Sequence, residues 1–370
     1  MDSAGHSEQM QGLRTILTEA VASNASDVHL AADSPIIFRV AGQLVRQEGE
    51  PLTAEGVHNL IYQAITSQQR EEFEANKELD ASYEIPGVGR FRINVHKQQD
   101  TVGAAIRSVP IEIPKLRDLD LPLALAEVPH YTHGLVLVTG ATGAGKSTTL
   151  AAILNEINHE RDAHIVTIED PVEYRHTSDK CLVTHREVGR DTGSFAEALR
   201  RALRQDPDVI LVGELRDRES MRVAMEAAGT GHLVLSTVHA TTAKDTIDRI
   251  IESFPGDEQN AVRSHLAQTL RMIVSQVLLR SAVDPQQRLV AAEVLKNTSA
   301  ARAMIKDNKI HQIPSVIQAG QSQGMNSLSQ SLVDLVARNA VTYAEALHHC
   351  NDVDELHQLL NPQGRIRAVR

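Results

Sequence analysis

A chain of 370 residues has room for two or three domains at about 150 residues each, and 42% apolar with 23% charged residues is the balance of a globular protein with a sizeable core. Its 37 basic against 48 acidic side chains leave a net charge of −11, which argues against a general nucleic-acid binder, and 3% aromatics without tryptophan argues against base-stacking platforms. Two cysteines, Cys181 and Cys350, exclude a disulfide framework and a four-cysteine zinc knuckle and suit a reducing cytoplasm; Met1 to Met10 have no basic start and no apolar block, so no secretory signal is expected, and no apolar run approaches about 18 residues.

Residues 1–110 read as a small α+β unit. Met10, Leu13, Ile16, Leu17, Ala20 and Val21 fall on one helical face. Short strands are expected at Val28–Leu30, Ile36–Val40 and Leu44–Val45, with Gly42 as the turn. Val57, Leu60, Ile61, Ala64 and Ile65 mark a second amphipathic helix. Leu79, Ala81, Tyr83 and Ile85 alternate with polar residues, Pro86-Gly87-Val88-Gly89 reverses the chain, and Phe91, Ile93 and Val95 alternate again, which predicts a hairpin; Ala104–Val109 adds a strand. Pro110, Pro114 and Pro122 then punctuate a stretch that no continuous helix can occupy, so 111–122 reads as a linker.

From residue 123 the pattern changes. Leu135–Val138, His164–Ile168, Val209–Val212 and Leu233–Ser236 are short apolar runs alternating with helical segments, the signature of a parallel sheet covered on both faces. Ser194 and Glu197 have capping-box spacing ahead of a helix, as do Thr342 and Glu345. Beyond 258 the chain reads as mostly helical to residue 370, with Leu289–Leu295 as the one late strand.

Gly140-Ala141-Thr142-Gly143-Ala144-Gly145-Lys146-Ser147 matches the phosphate-loop pattern G-x-x-x-x-G-K-[ST], directly after a strand and opening a helix. Such a loop turns backbone N–H groups toward phosphate oxygens at a helix N-terminus. Lys146 reaches the β- and γ-phosphates, Ser147 suits Mg2+, and Thr148 follows at the same helix start. Asp208–Val212 with Gly213-Glu214 resembles a Walker B strand, carrying an acid to the strand's C-terminal end, where Glu214 suits contact with Mg2+ through water. Glu169, at the end of the strand ending in Ile168, is the candidate to orient or deprotonate the attacking water. His239 leaves the strand that follows Gly231-His232, where it could sense the γ-phosphate. His159, Glu160 and His164 mimic a zinc-protease string, but histidines five apart do not share a helix face. The cluster His348, His349, Cys350 and His357 lacks four-ligand spacing, and Arg365, Arg367 and Arg370 read as solvated charges.

Four segments, GATGAGKSTTLAAI, IVTIEDPVEY, LRQDPDVILVGELRD and GTGHLVLSTVHATTA, together and in this order, resemble the signatures of the secretion ATPase superfamily. The resemblance covers nearly the whole chain and is closest to the twitching-motility, pilus-retraction branch. CLVTHREVGRDTGSFAEALRRALR reads like that branch, the C-x2-C pairs of assembly and type II secretion ATPases are lacking, and QIPSVIQAGQSQGMNSLSQSLVDLV resembles its C-terminal motif. Gln318 and Gln321 stand at the two positions where that motif often has arginine, a departure that bears on the direction of work.

The resemblance implies an α/β protein with a PAS-like N-terminal domain (1–110) and a RecA-like P-loop ATPase domain (123–370), assembled as a homohexamer, with ATP near the domain boundary and Mg2+ as cofactor. It implies Glu169 as general base, Glu214 as the acid on the Mg2+ side, and help from the N-terminal arginines Arg90, Arg92 and Arg107. The expected partners are an inner-membrane pilus platform protein and a related accessory ATPase, with no nucleic acid, at the cytoplasmic face of the inner membrane. The alternatives are a pilus assembly, competence or type IV secretion ATPase, and a regulatory module that holds ATP without turnover; a DNA helicase or recombinase is disfavoured by the charge.

Overall fold

The computed structural model describes residues 12–40, 42–109, 112–284 and 287–360. Met10 and the three tail arginines lie outside the described residues. The chain divides into two compact units between Glu112 and Ile113.

The first unit contains α1 (Gly12–Ala22), β1 (Ala25–Leu30), β2 (Ile37–Val40), β3 (Gln43–Arg46), α2 (Ala54–Tyr62), α3 (Ser67–Asn76), β4 (Glu78–Ile85), β5 (Gly89–Gln98) and β6 (Thr101–Val109). Its strands form one six-stranded sheet in the order β3-β2-β1-β6-β5-β4. The expected β4–β5 hairpin is present, with Leu79 opposite Val95 and Tyr83 opposite Phe91. One face of this sheet, with Phe38, Phe91, Ile93, Val95 and Ile106, packs on α1 through Leu13 and Leu17 and on α2 through Val57 and Ile61. Val21 is exposed rather than part of that core. Helix α3 was not anticipated: Phe73 is its one buried residue, so no apolar period marks it. Its signal is the cap, a reciprocal box between Thr66 and Gln69.

The second unit contains β7 (Gly134–Thr139), α4 (Lys146–Glu160), β8 (His164–Glu169), β9 (Leu182–Glu187), α5 (Phe195–Ala202), β10 (Val209–Val212), α6 (Arg218–Gly229), β11 (Leu233–Val238), α7 (Ala243–Glu252), α8 (Gln259–Thr269), β12 (Leu270–Arg280), β13 (Arg288–Lys296), α9 (Ser299–Lys306), α10 (Ile313–Ala319), α11 (Leu328–Ala337), α12 (Tyr343–His349) and α13 (Val353–Leu360). A seven-stranded sheet runs β13-β12-β7-β11-β10-β8-β9, parallel except for the antiparallel β12–β13 pair. Alternate residues serve opposite faces: Leu135, Leu137, Ile210 and Val212 join the core on one side, Val136, Val138, Val209 and Leu211 that on the other. Leu116, within the proline-punctuated stretch, packs into the second of these cores. Both predicted caps form, Ser194 accepting from the Glu197 N–H and Thr342 from the Glu345 N–H.

One expectation is corrected. Leu289–Leu295 is not the only late strand: β12 precedes it, running from Leu270 to Arg280 and pairing with β7 on one edge and β13 on the other. Its run, Leu-Arg-Met-Ile-Val-Ser-Gln-Val-Leu-Leu-Arg, follows α8 without a break, so its apolar content reads as a continued helix until the sheet claims its backbone hydrogen bonds. Residues beyond 258 are thus helices arranged about a β-hairpin that extends the central sheet. Among the described residues, no helix is long and apolar enough to cross a membrane.

Candidate active site

The parallel strands β7, β11, β10 and β8 are neighbours, and their C-terminal ends deliver the four groups singled out in the sequence. β7 ends at Thr139 and runs into the glycine loop, β8 ends on Glu169, β10 leads through Gly213 to Glu214, and β11 leads to His239. Parallel strands with in-register ends place such residues side by side at one edge of the sheet.

Helix α4 begins at Lys146, with Gly145 in the left-handed region (φ 84°) just ahead of it. Gly140 has φ 146°, and a Cβ there would lie 2.4 Å from the backbone oxygen of Gln276 on β12. The first glycine of the loop is therefore required by a neighbouring strand as well as by backbone conformation. Ala141, Thr142 and Gly143 are exposed, Ala144 and Lys146 buried, and Gly145, Ser147 and Thr148 half-buried. The Lys146 ammonium donates to the carbonyls of Gly140 (3.0 Å) and Ala141 (2.9 Å), so it is held within its own loop. Burial lowers its pKa below the usual lysine value, against the opposing pull of the Glu214 and Glu173 carboxylates. The Thr148 hydroxyl pairs with the Tyr174 hydroxyl at 2.9 Å.

Glu169 is buried, and its Oε2 accepts the Glu173 N–H at 3.3 Å while His185 Nδ1 stands 3.9 Å from Oε1. Glu214, with 16% of its side chain exposed, has Oε2 2.7 Å from Arg216 Nε and Oε1 3.2 Å from His239 Nε2. The exits of β10 and β11 are laced together: the Ser236 hydroxyl donates to Val212 O, the Thr237 hydroxyl to Gly213 O, and the Leu215 N–H to Thr237 O. Gly213 stands beside the β8 end, where a Cβ would make ordinary contact with Glu169 Cα at 3.4 Å.

A cavity of about 30 Å3 opens between α4 and these strand ends, lined by Ser147, Glu169, Tyr174, His176, Gly213 and Thr237. It brings together Ser147 and Glu169, predicted separately, and adds His176, which the sequence reading passed over. His176 is buried, its Nδ1 lacks a hydrogen-bond partner among the described residues, and burial with the neighbouring His185 pushes its pKa down to about 4. A larger cleft of about 390 Å3 borders the end of the loop, with Arg117, Asp120, Gly145, Thr148, Leu278 and Arg288 in its walls.

The three candidate arginines lie in the first unit. Arg90 and Arg92 alternate with buried Phe91 and Ile93 along β5, and Arg92 stands opposite Arg107 on β6. Arg107 donates from Nε to Asp27 at 2.8 Å. Burial raises the Asp27 pKa, but hydrogen bonds from Arg107 and Ser26 outweigh it and hold the carboxyl below its usual value. Arg90 reaches the Ser82 hydroxyl at 3.4 Å.

A profile of the type II/IV secretion system protein family matches residues 2–349. The chain is 45% identical over 331 residues to the type IV pilus retraction ATPase PilT of Pseudomonas aeruginosa, spanning 90% of this chain and 96% of that protein. It is 43% identical over 329 residues to a twitching motility protein of Neisseria gonorrhoeae, spanning 89% and 87%. The crystal structure of the pilus retraction motor PilT with bound ADP matches with a TM-score of 0.87 at 42% identity, over 94% of this chain and 99% of that one. The resemblance read from the four motifs is borne out: the chain belongs to the type II/IV secretion system protein family.

Proposed function

We propose that this protein is an ATP-hydrolysing motor that powers type IV pilus retraction. The observation that carries the chemistry is the convergence of the glycine loop, Glu169, Glu214 and His239 at the ends of four adjacent parallel strands. The similarity to retraction ATPases across nearly the full length of both chains supports the biological task.

In this reading Gly140, Ala141, Thr142, Gly143, Ala144, Gly145, Lys146, Ser147 and Thr148 bind the phosphates, and the cleft beside Thr148 and Leu278 takes the nucleoside. Lys146 exchanges its two loop carbonyls for the β- and γ-phosphate oxygens, which are better partners because they carry charge. Glu169 orients and deprotonates the attacking water. Ser147 and Glu214 offer oxygen donors only, the set that suits Mg2+, and the charge of Glu214 is felt by Lys146 of the loop. Mg2+ bound there would supply charge neutralisation of the phosphates, with Glu214 acting through water. His239 holds Glu214 and links it to the γ-phosphate. Arg90, Arg92 and Arg107 of the first unit, of PAS-like type, add positive charge for the transition state of the reaction carried by the second, of RecA-like type.

The working form is a homohexamer at the cytoplasmic face of the inner membrane, passing domain rotation to a pilus platform protein, with a related ATPase as accessory partner. Gln318, in the C-terminal motif, donates to Glu355 of α13 at 2.9 Å, so this position is tied to the C-terminal helices rather than carrying a charge. A gene deletion tests the direction of work: piliated cells that no longer twitch are expected, and bald cells would make the protein an assembly motor instead.

A further inference from the structure

We infer that Gln276 of β12 is a positioning residue that clamps the phosphate loop from behind and so sets the affinity for nucleotide. The inference rests on reading residues 140–148 as the phosphate loop. The face of β12 toward α4 carries Met272, Val274 and Leu278, all packed in the apolar core shared with Leu150 and Ile153. Gln276 occupies the one place on this stretch of that face where a polar side chain interrupts the alternation, and it is 1% exposed. A buried amide persists in such a place only with its hydrogen bonds made.

Both ends of the amide are engaged by the loop. Nε2 donates to the carbonyl of Ala144 at 2.6 Å, and Oε1 accepts from the Thr149 hydroxyl at 3.0 Å. The two partners flank Gly145, Lys146, Ser147 and Thr148. The Gln276 backbone oxygen is also the atom against which Gly140 is fitted. One residue thus touches the loop at its first glycine, near its last, and one turn into α4.

The physical consequence follows from how the loop must work. Its N–H groups can point at an anion only if its carbonyls point away and are satisfied elsewhere. Gln276 satisfies the Ala144 carbonyl and, through Thr149, fixes the first turn of α4. These contacts pre-form the anion cradle, so their loss should weaken binding of substrate and transition state alike. Uniform loss of binding raises KM and leaves kcat nearly unchanged.

The test uses the full chain with Gln276→Met, which keeps the volume and removes both bonds, and Thr149→Val, which removes one bond from the loop side. Steady-state KM and kcat for ATP, a titration with ADP, and thermal melting are measured for each. Either variant should raise KM and the ADP Kd, by about tenfold for Gln276→Met, a change equivalent to ~1.4 kcal/mol, with kcat within about twofold. The double variant should be no worse than Gln276→Met alone, because that variant already removes the bond that Thr149→Val deletes. A lower melting temperature with unchanged KM and Kd in both variants would reduce Gln276 to a structural residue and overturn the inference. Lys146→Ala, run alongside, separates the two failures: if it turns over ATP like the wild type, the phosphate-loop reading itself is wrong.

Discussion

His239 Nε2 lies 3.2 Å from Glu214 Oε1, and Arg216 occupies the other carboxylate oxygen at 2.7 Å. The acid that ends β10 is therefore held on both sides, from the adjacent strand's histidine and from the turn ahead of α6. An outer partner of this kind fixes the direction of a carboxylate's lone pairs and typically matters by 10–100-fold. His239→Ala should lower kcat by about tenfold while leaving the nucleotide Kd within about twofold. Turnover equal to the wild type at saturating ATP would release His239 from this role.

Lys146 and Glu169 should separate binding from chemistry. Lys146→Ala removes the loop's only full positive charge and is expected to abolish nucleotide binding or turnover. Glu169→Gln keeps a similar volume and can still accept the Glu173 N–H, so the loop 169–173 should stay in place. Nucleotide binding is expected to persist, with hydrolysis reduced by about 10²–10⁴-fold. Steady-state turnover and a nucleotide titration on both variants check this, and wild-type turnover by Glu169→Gln would remove it from the base role.

The sites most legible in the sequence were those written as local strings on single strand ends. The phosphate loop, Glu169 and Glu214 each follow an apolar run, and the parallel sheet then sets those runs side by side. What stayed hidden depends on pairing across long separations. Gln276 meets Ala144 across 132 positions, and β12 itself reads as helix until β7 and β13 flank it. His176 sits in a segment without strand or helix, between Glu169 and β9, so no periodicity pointed it inward. Helix α3 was missed for the opposite reason: its signal is a cap rather than an apolar face. The partner of Arg107 was equally hidden: its Nε is committed to Asp27, 80 positions away.

Glu293 on β13 makes the stability of the second unit depend on pH. Its carboxylate accepts the Ala243 N–H at the start of α7, at 2.7 Å, and burial pushes its pKa from 4.5 up to about 7, with Asp245 and Glu355 adding to the rise. The folded state thus holds this proton more tightly than the unfolded chain. The stabilisation is fully present below pH 4.5 and is lost as the pH climbs through about 7. Glu293→Gln can keep the bond to Ala243 and carries no charge, so it should flatten this slope and be more stable than the wild type at pH 8, by on the order of 2–3 kcal/mol. Denaturant titrations at pH 5.5 and pH 8 measure it; an identical pH slope in the two proteins would show that Glu293 does not titrate in this range.

The two units should also depend on each other for activity. The phosphate loop, Glu169 and Glu214 belong to the second unit, and Arg90, Arg92 and Arg107 to the first. An arginine placed on the transition-state charge contributes about a thousandfold or more in rate. A fragment beginning at residue 113 should therefore keep the loop and bind nucleotide, yet lose most turnover, and the activity of the full chain should rise with concentration as rings form. Among the arginines, Arg107→Ala should lower kcat more than it lowers stability. It also strips a hydrogen bond from Asp27, a carboxylate with 12% of its side chain exposed, leaving it the Ser26 hydroxyl at 2.9 Å and Arg39 at 3.8 Å. Because the Arg107 side chain is itself mostly exposed and screened by solvent, that loss should cost its unit less than about 1 kcal/mol, seen as a lower melting temperature. Sedimentation paired with ATPase assays decides the matter: a strictly monomeric 113–370 fragment that hydrolyses ATP as fast as the full chain would show that the second unit carries the whole site.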